Sequence, residues 1–186
     1  MTEKEKMLAG QLYMAADPEL VAARRRARRL TRLYNSTTEE EPARRLEILR
    51  ELFGAMGKQA EVETPFRCDY GSNIEVGENL YANFGWVVLD CNLVRIGDNA
   101  FIAPGVHIYT AHHPVVAQER IRGPELATPV TIGHNVWLGG GAIICPGVTI
   151  GDNTTIGAGS VVTKNIPSNV IAAGNPCRVI RELGRM

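Results

Sequence analysis

The chain has 186 residues, of which 45% are hydrophobic, and its 20 lysine and arginine residues balance 20 aspartate and glutamate residues. This length accommodates one main domain with a smaller appendage. The zero formal charge argues against a broad nucleic-acid-binding surface, and no apolar run approaches the ~18 residues that would predict a membrane span.

Cysteine usage and the N-terminus point to a reducing compartment. The four cysteines are scattered and form no Cys-x-x-Cys pair, so the sequence indicates neither a disulfide framework nor a structural zinc site. No charged segment followed by an apolar one opens the chain, as a secretory leader would. We therefore expect a cytoplasmic protein without a membrane partner.

Residues 1–55 predict a helical cap of three segments. Thr2 and Glu5 have the spacing of a capping box, and Pro18 follows Asp17 at a position typical of the first helical residue. Acidic residues 39–41 suit the first turn of the third segment, and Gly54 is its expected stop. The predicted bounds are Thr2 to Tyr13, Asp17 to Asn35 and Thr38 to Gly54.

Six arginines crowd the second predicted helix: Arg24, Arg25, Arg26, Arg28, Arg29 and Arg32. One interpretation is a contact with phosphate or nucleic acid. The other is a solvated helix face with some pairing between subunits. The zero net charge of the chain favours the second interpretation.

From about residue 60 the chain changes to short β-branched segments separated by glycine turns. Between Ile132 and Ile166 an apolar residue recurs every six positions, and glycine follows it four times in six. The apolar positions are Ile132, Leu138, Ile144, Ile150, Ile156 and Val162. Upstream the phase is broken between Leu89 and Ile96, where about two residues are added.

A period of six fits neither a helix nor the alternation of a half-buried strand. It is typical of a parallel β-helix in which three hexapeptides close one triangular coil. The alternative, a β-sandwich with frequent turns, would not hold a constant six-residue phase. We therefore expect a mainly β fold, with a β-helix domain over residues 56–186 and a short C-terminal helix from Val179 to Leu183.

Residues 111–129 interrupt the repeat. Ile108 and Ile132 are 24 residues apart, which is four whole hexapeptides, so we expect the solenoid to resume in register after an excursion loop. A long loop on a rigid scaffold is usually functional or disordered. This one begins with two histidines, His112 and His113.

The histidines allow two chemical interpretations besides that of idle surface residues. A histidine at the root of the loop can act as a general base, because its pKa is ordinarily close to neutral. Alternatively, His107 and His112 could bind a zinc ion shared with a second chain, as in γ-class carbonic anhydrases. That site needs a third histidine from an earlier coil, and none precedes His107.

The chain resembles the maltose and galactoside O-acetyltransferases of the hexapeptide-repeat superfamily over nearly its whole length. The cap and the His-Pro pair are more specific to this family than the repeat itself. The segments that carry the resemblance are MLAG (7–10), DPEL (17–20), FRCDYGSNI (66–74), YANF (81–84), HP (113–114), GHNVW (133–137), PGVTIGDN (146–153) and AGNPCRVI (173–180).

The resemblance implies a left-handed coil and a trimer in which each site lies between two subunits. Acetyl-CoA would donate its acetyl group to a sugar hydroxyl, with no metal required. His113 would be the catalytic base, the Asn83 side chain would stabilise the oxyanion, and Glu125 would orient the imidazole.

The resemblance also assigns binding residues. Asp69 and Tyr81 match acceptor-side positions. Two departures from relatives bear on the acceptor: Met14 and Ala15 follow the aromatic Tyr13 where an acid is frequent, and Cys91 follows Asp90 where the galactoside enzyme has two acids. Residues expected along the cofactor are Asn83, Trp137, Gly140, Ala158, Thr163, Lys164, Arg178 and Arg181.

The sequence thus predicts an acetyl-CoA-dependent O-acetyltransferase acting on maltose, glucose or a related sugar. Three rivals stay open: transfer to another small hydroxyl or amine compound, a zinc hydro-lyase that uses His107 and His112, and a non-catalytic scaffold.

Overall fold

A computed structural model describes residues 1–184, and most of this chain winds into a parallel β-solenoid with three short strands per coil. The predicted mainly β fold with an N-terminal helical cap is confirmed. The β-helix domain is predicted to reach residue 186, and residues 185 and 186 lie outside the described residues. Over residues 1–184, no helix is long and apolar enough to cross a membrane.

Four helices and twenty strands make up the described chain. The helices are α1 (Glu3–Leu8), α2 (Pro18–Asn35), α3 (Pro42–Leu52) and α4 (Ala117–Arg120). The strands are β1 (Tyr13–Met14), β2 (Ala55–Met56), β3 (Ala60–Val62), β4 (Arg67–Cys68), β5 (Ile74–Val76), β6 (Leu80–Ala82), β7 (Val87–Leu89), β8 (Val94–Ile96), β9 (Phe101–Ile102), β10 (His107–Tyr109), β11 (Ala111–His112), β12 (Pro124–Ala127), β13 (Val130–Ile132), β14 (Trp137–Leu138), β15 (Ile143–Ile144), β16 (Thr149–Ile150), β17 (Thr155–Ile156), β18 (Val161–Val162), β19 (Val170–Ala173) and β20 (Arg178–Glu182).

The solenoid has three faces, each a sheet of strands from successive coils. Face 1 contains β2, β5, β8, β13 and β16; face 2 contains β3, β6, β9, β14, β17, β19 and β20; face 3 contains β4, β7, β10, β15 and β18. The apolar residues of the six-residue repeat point inward and are all buried. Ile132 pairs with Ile96 below it and Ile150 above it, so the repeat resumes in register after the loop, as predicted.

The corner between faces 1 and 2, here the asparagine corner, is held by a ladder of side-chain amides. Each Nδ2 donates to the Oδ1 of the asparagine one coil further on, at 2.9 Å. All five residues have φ between 55° and 60°, a left-handed conformation that asparagine tolerates better than most residues. They are Asn79, Asn99, Asn135, Asn153 and Asn169.

The corner between faces 2 and 3, here the glycine corner, turns through four glycines with φ between 67° and 80°. They are Gly85, Gly105, Gly141 and Gly159. A Cβ atom at Gly105, Gly141 or Gly159 would meet nothing within 4 Å, so this corner is an open surface. Backbone conformation, rather than crowding, therefore requires glycine at these three positions.

The corner between faces 3 and 1, here the insertion corner, absorbs the changes in coil length. Val88 pairs with Cys68 and with Ile108, each 20 residues away, so two residues are added in each of these coils. The next partner of Ile108 is Ile144, 36 residues later, because the whole excursion loop leaves from this corner. The predicted break after Leu89 is confirmed, and the same addition occurs one coil earlier, between Cys68 and Ile74.

Helices α2 and α3 close the open end of the solenoid. Leu30, Ile48 and Leu52 are buried in the same core as the inward-facing strand residues. The Tyr34 hydroxyl donates to the Val62 carbonyl, and the Asn35 side chain pairs with both the N–H and the C=O of Phe66. The cap therefore supplies partners to a first coil that has no coil beneath it.

Three predicted helix boundaries in the cap were wrong. Helix α1 ends at Leu8 rather than Tyr13, because Gly10 adopts a φ of 71° and Tyr13 pairs with Glu125 on β12. Helix α3 begins at Pro42 rather than Thr38, since the residue before a proline avoids helical angles. It ends at Leu52 rather than Gly54, because Phe53 is extended and its ring enters the core.

The predicted C-terminal helix was also wrong. Residues Arg178–Glu182 form β20, which pairs antiparallel with β19 at the edge of face 2. That edge exposes backbone N–H and C=O groups, and pairing with them satisfies the last segment better than an isolated helical turn of five residues.

The asparagine ladder predicts a specific order of stability among variants. Asn135→Gly loses two exposed amide hydrogen bonds but keeps the backbone angle, so we expect a loss of about 1 kcal/mol in the free energy of unfolding. Asn135→Ala adds left-handed strain, so we expect about 2 kcal/mol. Urea denaturation measures both values, and a glycine variant no more stable than the alanine variant would contradict the ladder's backbone role.

Candidate functional site

The insertion corner gathers acidic, thiol and phenol groups from distant parts of the chain. Cys91 Sγ lies 3.5 Å from Asp69 Oδ2, on neighbouring coils. Tyr13 of β1 donates from its hydroxyl to Glu125 Oε2 at 2.8 Å. The structure thus brings together Asp69, Cys91 and Glu125, which the sequence proposed as site residues, and it adds Tyr13.

Asp90 is fully buried and holds the turn that carries Asp69. Its Oδ1 accepts from the backbone N–H groups of Asp69 and Tyr70 at 3.0 and 2.9 Å, and its Oδ2 accepts from that of Asn73 at 3.3 Å. Burial raises the pKa of Asp90 to about 7, although the backbone donors favour the ionised form. This side chain therefore positions the acidic turn and does not face solvent.

Burial also sets the protonation of the neighbouring groups. It raises the pKa of the Asp69 carboxyl, against the hydrogen bond from Cys91 and the nearby arginines Arg24 and Arg28. Burial raises the pKa of the Cys91 thiol as well, with Asp69 adding to the effect. Cys91 is therefore a neutral thiol at neutral pH, and Asp69 is the carboxylate that can accept hydrogen bonds from a ligand.

Asn92 attaches the N-terminal segment to this corner. Its Nδ2 donates to the carbonyls of Met7, Leu8 and Ala127, at 3.0 to 3.2 Å. Strand β1 then pairs with β12, and β12 pairs with β11, in a three-stranded antiparallel sheet. One side chain therefore ties α1 and the excursion loop to the solenoid.

The excursion loop presents His113 to solvent. His113 is exposed, whereas Pro114 after it is buried and anchors the loop. Within residues 1–184, His113 accepts or donates no hydrogen bond, and the hydrogen bond of Glu125 goes to Tyr13. The imidazole is thus accessible to a substrate, and Glu125 orients the β1–β12 pair in the single chain.

The other histidines have partners of their own. His112 Nε2 lies 2.9 Å from Thr128 Oγ1, and His107 Nδ1 contacts the Tyr109 hydroxyl. His134 Nδ1 accepts from the Asp98 N–H at 3.0 Å at the asparagine corner. Over the described 184 residues, no three His, Cys, Asp or Glu side chains form a group suited to a metal ion.

A second group of candidate residues lies at or next to the glycine corner. Asn83, Gly140 and Ala158 occupy it on different coils. The Asn83 Oδ1 accepts the N–H of Phe84 at 2.8 Å, which fixes the carboxamide and directs its oxygen away from a ligand. Its two Nδ2 hydrogens have no acceptor within residues 1–184 and are free to donate.

Aromatic side chains line the adjoining face 2. Trp137 is 54% exposed and pairs with Phe101, which is also 54% exposed and in turn pairs with Tyr81. These three rings form one outward-facing column. A flat apolar column beside an open glycine corner suits the extended apolar arm of a cofactor.

The remaining cofactor candidates lie further along the solenoid. Thr163 and Lys164 follow β18 and are exposed, and Arg178 and Arg181 lie on the exposed strand β20. Within the described chain, neither Arg178 nor Arg181 pairs with a carboxylate. All four side chains are accessible to a phosphate-bearing ligand.

The candidate residues therefore form two groups at opposite edges of face 3. One edge carries Asn83, and the other carries Asp69 and the root of the loop with His113. The segment from Trp86 to Asp90, which contains strand β7, separates these edges by roughly 13 Å at 3.3 Å per residue. Groups at that separation do not meet around one reacting carbonyl in a single chain.

The chain is similar to known proteins in both sequence and fold. The profile of the maltose acetyltransferase hexapeptide capping motif matches residues 6–57, and that of the bacterial transferase hexapeptide, six repeats, matches residues 129–164. A maltose O-acetyltransferase from Clostridium difficile 630 is 58% identical with a TM-score of 0.98, and the match covers 100% of this chain and 99% of that one.

Two further relatives extend the comparison. A galactoside acetyltransferase in complex with coenzyme A is 46% identical with a TM-score of 0.96, over 99% of this chain and 92% of that one. Nodulation protein L of Rhizobium meliloti is 51% identical over 96% of this chain and 97% of its own. This chain belongs to the maltose and galactoside O-acetyltransferase family. It is an acetyltransferase, and acetyl-CoA is its co-substrate.

Some contributors to the candidate site carry no signal in the sequence. Tyr13 meets Glu125 only through the β1–β12 pairing, across 112 residues. Of the six arginines on α2, Arg24 turns inward, where it donates to the Tyr70 hydroxyl and the Ala15 carbonyl at 2.6 Å each. Ala15 thus interacts with Arg24 through its backbone.

Asp90 predicts a pH dependence of stability. Its pKa in the folded chain, about 7, lies above the ordinary value of 3.8, so the folded state favours the protonated form. The resulting stabilisation is complete below about pH 4 and is lost as the pH rises through 7, up to about 4 kcal/mol in all. We expect the difference in unfolding free energy between the parent and Asp90→Asn to fall over this range.

Urea denaturation at pH 4, 5, 6, 7 and 8 measures that difference. A difference that stays constant or grows with pH would show that Asp90 is ionised throughout.

Proposed function

We propose that the enzyme transfers the acetyl group of acetyl-CoA to a hydroxyl of maltose, glucose or a related sugar, with His113 as the general base. The observation that carries the proposal is the exposed imidazole of His113, which has no partner among residues 1–184, on a loop rooted beside the half-buried carboxylate of Asp69. A base and a hydroxyl-binding carboxylate are what an acetyltransferase needs from its acceptor side.

The chemistry requires one proton to move twice. The imidazole takes the proton of the sugar hydroxyl as its oxygen attacks the thioester carbonyl, and a tetrahedral oxyanion forms. Collapse of this intermediate breaks the carbon–sulfur bond, and the imidazolium returns the proton to the CoA thiolate. A thioester is already activated, so neither a metal nor a covalent enzyme intermediate is needed.

Asn83 is proposed as the oxyanion donor. The Asn83 Oδ1 accepts a hydrogen bond from the Phe84 N–H, which fixes the carboxamide. The Nδ2 hydrogens can then donate to the negative charge that develops on the oxyanion. Loss of such a donor ordinarily costs about 3 kcal/mol in the activation barrier.

The acetyl-CoA arm is proposed to follow the glycine corner. Trp137, Gly140 and Ala158 lie along that corner and its adjoining face, and the open glycines allow a close approach. Thr163, Lys164, Arg178 and Arg181 are proposed to hold the nucleotide end, where cationic donors suit phosphates. We also propose that the protein is cytoplasmic, because acetyl-CoA is present there and its four cysteines are free thiols.

A homotrimer is proposed because the two groups of site residues lie at opposite edges of face 3. Above β4, the outward-facing residues of face 3 are mostly apolar and half-buried in the single chain: Val87, Leu89, Tyr109, Ile143, Cys145 and Val161. If three copies turn face 3 toward one threefold axis, the glycine corner of one copy meets the insertion corner of the next. Each site would then take Asn83 and His113 from different subunits.

The acceptor is the least constrained part of the proposal. Relatives include proteins described as maltose and galactoside acetyltransferases and a nodulation protein, so close relatives differ in what their names say they act on. Here Cys91 is a neutral thiol and Ala15 offers no side-chain acceptor, which leaves Asp69 and Tyr81 to bind hydroxyls. Another small hydroxyl or amine compound is the alternative acceptor.

The first test compares two adjacent histidines. His113→Ala should lower the rate of thiol release from acetyl-CoA, with a panel of sugars, by about 10²–10⁴, because the general base is lost. His112→Ala is the matched control, since its imidazole binds Thr128, and its rate should stay within about threefold of the parent. Equal activity of the parent and His113→Ala would remove His113 from the mechanism.

The second test mixes two inactive proteins. Asn83→Ala and His113→Ala should each lose activity, and trimers reassembled from an unfolded equimolar mixture should recover part of it. Recovery is expected because some sites then combine an intact Asn83 with an intact His113 from different chains. No recovery from correctly assembled mixed trimers would mean that both residues act within one chain.

A further inference from the structure

Three arginines line one groove at the base of face 3. Arg28 and Arg32 are four residues apart on α2 and so share one side of the helix, and Arg67 lies on β4, the first strand of this face. The groove they line encloses about 330 Å³ and is completed by Thr31, Cys68, Asp69 and Leu89. It therefore adjoins Asp69, the carboxylate proposed to bind the acceptor.

The three guanidinium groups have no partners in the part of the chain that the structure describes, residues 1–184. Other cap arginines do pair there: Arg26 with Glu51, and Arg45 with Glu63. Arg28, Arg32 and Arg67 make neither an ion pair nor a hydrogen bond with these residues, and all three are exposed. Asp69 attracts Arg28 through space, but this single carboxylate faces three guanidinium charges in the groove.

The other residues lining the groove do not neutralise it. Burial raises the pKa of the Cys68 thiol, so it stays neutral at neutral pH. The Thr31 hydroxyl donates to the Ala27 and Arg28 carbonyls and is occupied. Asp69 is the one carboxylate among the lining residues, and its Oδ2 is turned toward Cys91. The groove therefore has a positive side formed by α2 and β4 and a single acidic end at Asp69.

This arrangement places three like charges around one concave surface with a single acid at its end. Like charges held around one concave surface repel, and a concave surface strengthens the field above that of separate side chains. Charges that destabilise a fold and converge on a cleft are typical of ligand binding. Guanidinium groups bind phosphate and carboxylate oxygens by paired hydrogen bonds.

We propose that this groove is an anion subsite of the acceptor site, and that the preferred acceptor is a sugar bearing a phosphate or carboxylate group. The anionic group would lie against Arg28, Arg32 and Arg67, and hydroxyls of the same sugar would reach Asp69. This inference rests on the proposed function, since it defines the acceptor class of that site.

The test measures kcat/KM for acceptors that differ in charge. Glucose is compared with glucose 6-phosphate and with glucuronate, so the two anionic arms distinguish phosphate from carboxylate. We expect at least one anionic acceptor to exceed glucose by about tenfold or more at low ionic strength. This advantage should shrink as salt is added, because exposed charges are screened.

Variants assign the effect to the groove. Arg67→Gln and Arg28→Gln should each lower kcat/KM for the favoured anionic acceptor by about tenfold, and that for glucose by less than twofold. Arg29→Gln is the matched control, because Arg29 lies on the same helix but lines a different groove with Arg25 and Arg26. It should leave both values unchanged. Neither groove variant should lower the Tm, since repulsion is relieved.

Three results would overturn the subsite. One is equal or lower activity with both anionic sugars than with glucose. Another is an Arg29→Gln variant as impaired as Arg67→Gln, which indicates general charge steering. The third is a smaller assembly for Arg67→Gln in sedimentation, which indicates pairing with another copy. After any of these three results, the proposed function still stands if the enzyme acetylates glucose and this activity depends on His113. If no acceptor is acetylated, the proposed function itself is refuted.

Discussion

The stacking of each coil on the coil below it is the constraint on which the rest of the structure depends. Inward-facing residues such as Ile96, Ile132 and Ile150 must lie above one another to fill a narrow prism, so no face can lengthen or shorten by one residue. Two corners are fixed by backbone conformation, one through the asparagine ladder and one through left-handed glycines. The insertion corner is the one that accepts added residues. Asp69, Glu125 and the excursion loop with His113 are all found at this corner.

The helical cap contributes to the site as well as to stability. Helices α2 and α3 cover the first coil, which otherwise has unpaired strand edges and an open core. The segment before α2 passes the whole insertion corner, where Asn92 holds it and Tyr13 pairs with Glu125. Arg24 turns in toward Tyr70 from the same cap. The N-terminal residues thus line the same region as the excursion loop, although the sequence separates them by about a hundred residues.

Charge is distributed unequally over the candidate site, and this distribution suggests how the site distinguishes ligands. Burial keeps Cys91 neutral and Asp90 occupied with the backbone, so Asp69 is the acid that remains for a hydroxyl. Three arginines without an ion-pair partner among the described residues 1–184 lie at the base of face 3, and open glycines run along its other edge. In the proposed trimer, the sugar would bind a polar and charged surface and the thioester an open and apolar one, and the two surfaces would meet where two copies adjoin.

The sequence by itself determined the solenoid, because a six-residue period has one structural explanation and each inward position can be read from its side chain. It also located the excursion loop from the preserved phase between Ile108 and Ile132, and it marked α2 through Asp17 and Pro18. These features depend on residues close to one another in the chain. The tertiary structure decided whatever depends on distant partners: Tyr13 leaves a helical pattern to pair with Glu125, and Val179 joins a strand because the edge of face 2 is free. It also separated Asn83 from His113 by the width of a face, since the position of a residue around a coil is fixed by how the coils stack.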